Sequence, residues 1–196
     1  MNRIVDRGAI TAAYVGIGVA VTVVASFLLI IPIEPVIWLL AVPAGLVIGY
    51  YANQRSDRRA GPWSRILRNG VFAGFVTGLT TALLVLILKV IFFYADSGYP
   101  DFNRVVDGTS IPPYCQTGAD CVFRRYVALG RDAELRAAGA VDGASFGALY
   151  WNQQFVVAGA LLVATTAGGL GGAAAYGLLR PKTTGQGHDR AISPVA

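Results

Sequence analysis

The stretch Gly70–Tyr94, GVFAGFVTGLTTALLVLILKVIFFY, decides the fold. It holds one ionisable side chain, Lys89, and is otherwise apolar, small or hydroxyl-bearing for longer than the roughly 20 residues that carry a helix across a hydrocarbon core of about 30 Å. In lipid, backbone donors and acceptors must be satisfied inside the segment, so the stretch reads as a transmembrane helix. Glycine recurs at every fourth position, Gly70, Gly74 and Gly78, and Ala82 extends the stripe. A face without side chains lets another helix approach to backbone contact.

Three further runs share this character: about Ala9–Ile31, Val36–Ala52 and Phe155–Leu179. The 196 residues are 55% hydrophobic and only 14% charged, against about 25% charged in soluble domains, and the mean hydropathy is +0.55. The first run is too long for the apolar core of a secretory signal and continues past the small residues Val23 and Ala25, so it reads as an uncleaved anchor. Pro32-Ile33-Glu34-Pro35 reads as a tight turn, and Pro43 predicts a kink inside the second run. Small residues again recur at helical spacing. Ala160, Ala164, Gly168 and Gly172 form one stripe of the last run, and Ala167, Gly171 and Ala175 another. Ala12, Gly16 and Ala20 mark the first run, and Ala41, Gly45 and Gly49 the second.

The formal charge of +5 follows from topology and implies no nucleic-acid partner. Arginines and lysines gather in the amino-terminal tail, between the second and third runs (Arg55, Arg58, Arg59, Arg65, Arg68), and after the fourth (Arg180, Lys182, Arg190). The first connection carries Glu34 and no basic residue. Cytoplasmic retention of basic loops therefore places both termini inside a cell membrane. Trp63, Ile66 and Leu67 read as a separate interfacial turn, with Arg65 and Arg68 toward lipid phosphates. Lys89 is a functional candidate by default, because charge in hydrocarbon costs about 2.5–3.5 kcal/mol or more. Its position near the end of the run favours snorkelling to the outer interface, toward Asp96, over a role in transport or gating.

Residues 96–152 hold both cysteines. Cys115 and Cys121, in the segment expected to face an oxidising compartment, read as one disulfide. Tyr99-Pro100, Gly108 and Ile111-Pro112-Pro113 favour turns and extended chain before it. After it the spacing predicts one amphipathic helix capped by Asp120 and stopped by Gly139. Val122, Phe123, Tyr126, Val127, Leu129, Ala133 and Ala137 fall on its apolar arc, with Arg124, Arg125, Arg131, Asp132 and Arg136 opposite. Asp132 and Arg136 stand four apart as an ion pair.

The expected fold is thus an all-α integral membrane protein with four transmembrane helices and a long structured outer loop between helices 3 and 4. It divides into 1–95 (three spans), 96–152 (the extracytoplasmic loop), 153–180 (the fourth span) and 181–196 (a disordered cytoplasmic tail). In topology alone this resembles tetraspanins; the Cys-Cys-Gly signature is missing, and no residue roles are carried over. The single histidine, His188, lies in the tail, so no haem or metal site is expected, and no cofactor. Enzyme motifs are missing, and one pair of cysteines does not relay oxidation as a membrane thiol-disulfide oxidoreductase must. The expected role is therefore non-enzymatic. The chain reads as an accessory, scaffolding or assembly subunit whose partners are the bilayer and another membrane protein or a second copy of itself. A small channel or transporter is the alternative, with a membrane thiol-disulfide oxidoreductase ranked behind it. The preference for Arg over Lys, with abundant Gly and Ala, is associated with GC-rich bacterial genomes.

Overall fold

The computed structural model describes residues 5–29, 34–57, 61–96, 98–100, 105–106, 109–110 and 113–180. Among them lie α1 (Arg7–Leu29), α2 (Glu34–Gln54), α3 (Trp63–Ala95), α4 (Ala119–Ala128), α5 (Asp132–Ala137) and α6 (Gly143–Leu179). One two-residue antiparallel pair, β1 (Val105–Val106) with β2 (Thr109–Ser110), sets Val105 opposite Ser110. Three helical stretches, Arg7–Ser26, Trp63–Ala95 and Gly143–Leu179, are long and apolar enough to cross a membrane. α2, with 21 residues, continues through Pro43 and packs chiefly on α6, and also on α1 and α3. The expected turn at 32–35 lies largely outside the described residues, as does the expected tail at 181–196.

The bundle is inverted relative to a soluble protein. Large apolar side chains point away from it on every long helix, among them Val21, Leu39, Val47, Ile87, Ile91, Val163 and Leu170, while Ala9, Ala12, Ala20, Ala41, Ala52, Ala73 and Ala173 are buried. Lipid solvates Leu and Val as well as a protein core does, so the interior is selected for close approach and not for apolar area. The threonines inside it need no partner on another helix. Thr77, Thr81 and Thr165 donate to the carbonyls of Ala73, Thr77 and Leu161 at 2.8, 2.9 and 2.8 Å.

α6 is the central helix, and two of its faces meet backbone. On one face, a methyl on Gly168 would stand 2.5 Å from the carbonyl oxygen of Val42, and one on Gly172 would overlap that of Leu46. Gly45 and Gly49 answer from α2, where a methyl would overlap the carbonyls of Thr165 and Gly169. On the other face, a methyl on Gly169 would stand 2.5 Å from the carbonyl oxygen of Gly70 and 2.9 Å from Cα of Gly74. Gly78 completes this crossing, 3.1 Å from Leu162 O by the same measure. The predicted stripes Gly70/Gly74/Gly78 and Gly168/Gly172 thus pack within the chain. The second stripe expected on α6 does not pack: a methyl on Gly171 would meet nothing within 4 Å. The face toward α3 is instead Leu161, Thr165, Gly169 and Ala173, all buried.

Two boundaries differ from expectation. α3 starts at Trp63, so the supposed separate turn Trp63–Arg68 is its opening. The Trp63 ring lies against Gly177, and Arg180 reaches back to donate to Gly61 O at 2.8 Å. α6 starts at Gly143, well before the expected Phe155, because Asp142 and Ser145 form a reciprocal capping box. Ser145 N donates to Asp142 Oδ1 at 2.7 Å, and Asp142 N donates to Ser145 Oγ at 3.0 Å. At 37 residues α6 extends about 55 Å, far more than a hydrocarbon core, so its opening turns stand clear of the apolar run and form a wall for what lies above.

Candidate functional site

The described part of the segment between α3 and α6 folds onto the ends of those two helices. Cys115 and Cys121 are bonded, with Cα atoms 5.5 Å apart, and Cys121 is buried. The bridge fixes the entry to α4. A methyl on Gly143 would stand 2.5 Å from Cα of Asp120, so α4 and the start of α6 touch through backbone. Thr117 Oγ1 donates to the carbonyl of Tyr94 at 2.6 Å and satisfies an acceptor that the end of α3 leaves open.

Beneath α4 lies an aromatic core. Phe93 is fully buried, with ring centroids 4.7 Å from Tyr150 and 5.3 Å from Trp151. Phe146 sits 5.9 Å from Phe123 and 5.4 Å from Tyr126, which carries the contact from α6 to α4. Val122 and Ala140 close the cluster, both fully buried.

The helix expected over this region is two helices. α4 ends in a Schellman motif at Gly130, φ +79, where Arg131 N donates to Tyr126 O at 3.1 Å and Gly130 N to Val127 O at 2.9 Å. Only glycine adopts this conformation cheaply, and the two bonds satisfy carbonyls that the helix end exposes. α5 ends the same way at Gly139, φ +88, the expected stop.

The break overturns part of the predicted arc. Val122, Phe123 and Tyr126 face inward, whereas Leu129, Ala133 and Ala137 are exposed, and Leu135, outside the predicted arc, packs against the core. Asp120 is not the cap. Gly118 holds that position without a side-chain bond, and Asp120 pairs with Arg124 at 2.8 Å. Arg136 Nε meets Asp132 Oδ2 at 2.8 Å as expected, and that carboxylate raises the Arg136 pKa above its ordinary value.

Arg125, expected in solvent, is 3% exposed. Its Nη1 donates to the carbonyl of Tyr99 at 2.8 Å and, more weakly, to that of Asp96 at 3.4 Å. It therefore ties α4 to the chain leaving α3, a buried charge justified by backbone acceptors. The Asp96 carboxylate accepts from Gly98 N at 2.7 Å.

Beside this core is a cavity of 440 Å³. Among the described residues two cations line it, Lys89 from α3 and Arg131 from the turn after α4. Tyr99, Tyr126 and Tyr150 also line it, with Asn152, Gln153, Gln154, Val156 and Val157. Tyr99 and Tyr150 share a hydrogen bond of 3.1 Å between hydroxyls. Burial, ahead of the neighbouring Tyr126 and Tyr150, pushes the Tyr99 phenol above its ordinary pKa and keeps it neutral. Arg131 lies over the Tyr126 ring, 5.3 Å from its centroid, and its Nε and Nη2 meet Glu134 Oε2 at 2.9 Å. Lys89 is 8% exposed and lines this cavity at the meeting of α3 and α6. It stands apart from the other predicted residues. The glycines lie toward the opposite end of α3 and α6, and the cysteines lie at the start of α4.

That opposite end carries a polar knot that sequence reading missed. Asp6 Oδ2 accepts from Ser56 Oγ at 2.8 Å and Asn69 Nδ2 at 3.2 Å, and buried Asn53 donates to Gly49 O at 3.1 Å and Ile66 O at 3.0 Å. The knot joins the start of α1 to the connection between α2 and α3. Asparagines immediately flanking two apolar runs, Asn53 after Ala52 and Asn69 before Gly70, were the available signal. For the cavity the signal was Tyr150 followed by Asn152-Gln153-Gln154, polar side chains just ahead of the last apolar run.

Fold and site together define an all-helical protein of membrane type, with three helices among the described residues long and apolar enough to span and a disulfide-bonded module seated at one end. No family model, curated protein or solved structure matches the chain.

Proposed function

We propose that the chain is a four-span protein of the cell membrane with both termini cytoplasmic, and that it acts as an accessory, scaffolding or assembly subunit. α2 serves as the fourth span in this reading; its outward Leu39, Leu40, Val42, Leu46 and Val47 support that assignment. The module between α3 and α6 then faces out and presents a surface to a partner.

One observation carries the proposal. The module is fixed to the bundle by a buried aromatic core, a buried arginine and backbone contact at Gly143, so its outer surface is ordered before any partner arrives. Preorganisation of this kind removes part of the entropic cost of association. Leu129 and Val141 are exposed on that surface among the ion pairs of α4 and α5. The backbone contacts of α6 with α2 and α3 leave little room for a pore and weigh against a channel. Burial of Cys121 weighs against thiol exchange.

A photo-crosslinking residue at Leu129 or Val141, in intact membranes, tests the proposal. It expects a discrete higher-mass adduct from these positions and only lipid adducts from Val163. Lone monomer from every position, with recovery as a monomer in mild detergent, sinks the subunit reading. Ion or solute flux through liposomes carrying the purified chain would revive the channel.

A further inference from the structure

We infer that the cavity bordered by Tyr126, Tyr150, Gln153 and Gln154 binds a neutral polyhydroxyl group of the hexose kind, carried as the headgroup of a membrane lipid whose acyl chains lie along Val156. The inference depends on the chain being in a membrane and not on its acting as a subunit.

Depth points to a lipid. On α6 the cavity is bordered by Asn152, Gln153 and Gln154 and by Val156 and Val157, so it spans the step from polar sequence to the apolar run that opens at Phe155. Such a step marks the level at which the headgroups of a bilayer meet its acyl chains. Phe155 and Val156 are both exposed on the outside of α6, so the cavity adjoins a face that lipid solvates. A polar lining that gives way to an apolar helix face at this level fits a molecule with one end of each kind.

The lining selects the headgroup. Tyr150, Gln153, Gln154 and Val157 follow at helical spacing and share one face of α6, and Tyr126 meets them from α4. A phenol and a carboxamide each donate and accept, whereas an oxyanion only accepts and an ammonium only donates. A hydroxyl also does both, so it pairs with these residues in either sense, and a ring of adjacent hydroxyls pairs with several of them at once. The tyrosines are held in place before a ligand arrives: Tyr99 and Tyr150 share their hydrogen bond of 3.1 Å, and the Tyr126 ring lies 5.4 Å from that of Phe146. A lining fixed in advance lowers the cost of binding.

The cations are engaged by the protein. Arg131 lies over the Tyr126 ring and meets Glu134 through Nε and Nη2, and Lys89 has an interaction of its own within the chain. A neutral headgroup leaves both arrangements in place, whereas an anion would compete with Glu134 for Arg131. The volume of 440 Å³ falls within the range of small-molecule sites, about 300–1,000 Å³.

Native mass spectrometry of the full chain tests this, after extraction into an amine oxide detergent, which carries no sugar, and incubation with monoglucosyl diacylglycerol, diacylglycerol or phosphatidic acid of the same acyl chains. Retention of the glucosyl lipid about tenfold above the other two is expected. Gln153→Leu and Gln154→Leu should each lower it about fivefold, the scale of one neutral hydrogen bond. Arg136→Gln, on the exposed side of α5, should leave it unchanged. Displacement of the lipid by excess methyl glucoside supports the hydroxyl site with a soluble source; failure to displace it supports the lipid. Retention of phosphatidic acid or diacylglycerol at the level of the glucosyl lipid overturns the inference. Equal retention by wild type, Gln153→Leu and Gln154→Leu, with matched thermal unfolding, does so too. Gln153 is exposed, so its variant decides the matter even if Gln154→Leu does not fold.

Discussion

Replacing Gly169 or Gly171 with alanine makes the same chemical change two residues apart on one helix, and the structure gives the two opposite signs. At Gly169 the added methyl would lie 2.5 Å from the Gly70 carbonyl oxygen and 2.9 Å from Cα of Gly74. Both are backbone atoms, so no rotamer change relieves the overlap. A carbon–oxygen contact relaxes at about 3.3 Å, and α3 and α6 must part by roughly 0.8 Å at the crossing. A gap of that size forfeits a quarter to a half of each neighbouring dispersion contact, and overpacking of this kind costs about 1–3 kcal/mol. At Gly171 nothing lies within 4 Å, so the methyl meets lipid or detergent, and the lower backbone entropy of the unfolded chain favours the variant by about 0.4–1 kcal/mol. Reversible unfolding in mixed micelles with increasing dodecyl sulfate, followed by tryptophan fluorescence, measures both. Equal midpoints for the two variants would refute the α3–α6 contact.

A membrane-impermeant thiol reagent should label Cys115 and Cys121 only after reduction; labelling of unreduced protein in intact cells removes the disulfide from its outer location. Arg125→Met should destabilise the module by about 1.5–3 kcal/mol, the worth of hydrogen bonds from a charged donor. Amide exchange in α4 would then quicken while α3 between Ala73 and Val85 stays protected, and unchanged exchange in α4 counts against the tie to Tyr99. Hydrogen bonds from Ser145, side chain first and then backbone, hold the Asp142 carboxyl below its ordinary 3.8. The cap's contribution is therefore complete above the unfolded-state value and lost as pH falls through the lower folded one. Exchange of the first amides of α6 should quicken on acidification through that window in wild type and not in Asp142→Asn, which keeps a neutral cap; identical acid profiles remove the carboxylate from the account.

What the sequence made legible came from local rules. Apolar length marked α1, α3 and α6, the cysteine pair was readable from its isolation and spacing, and the Asp132–Arg136 pair and the stop at Gly139 followed from helical periodicity. Gly130 inside the predicted helix costs only about 1 kcal/mol as an interior residue, too little by itself to force a break. A Schellman end at that position wins because it also turns Leu135 onto the aromatic core. Arg125 could not be placed inward from its neighbours, since its acceptors are carbonyls of a distant segment, brought near only by the fold.

The sequence by itself determined that this chain has long apolar helices lined with small residues and a cystine-bearing segment between the last two. Those features depend on composition and on spacing along one helix, which the chain carries locally. Only the tertiary structure decided that α6 turns Gly168 and Gly172 to α2, turns Gly169 to α3 and leaves Gly171 outside. Small residues occur all around that helix, and the choice of face belongs to its neighbours. Lys89 was placed in the same way. Its spacing set it near the end of the apolar run, and the fold placed Tyr126 of α4 and Tyr150 of α6 beside it around one cavity.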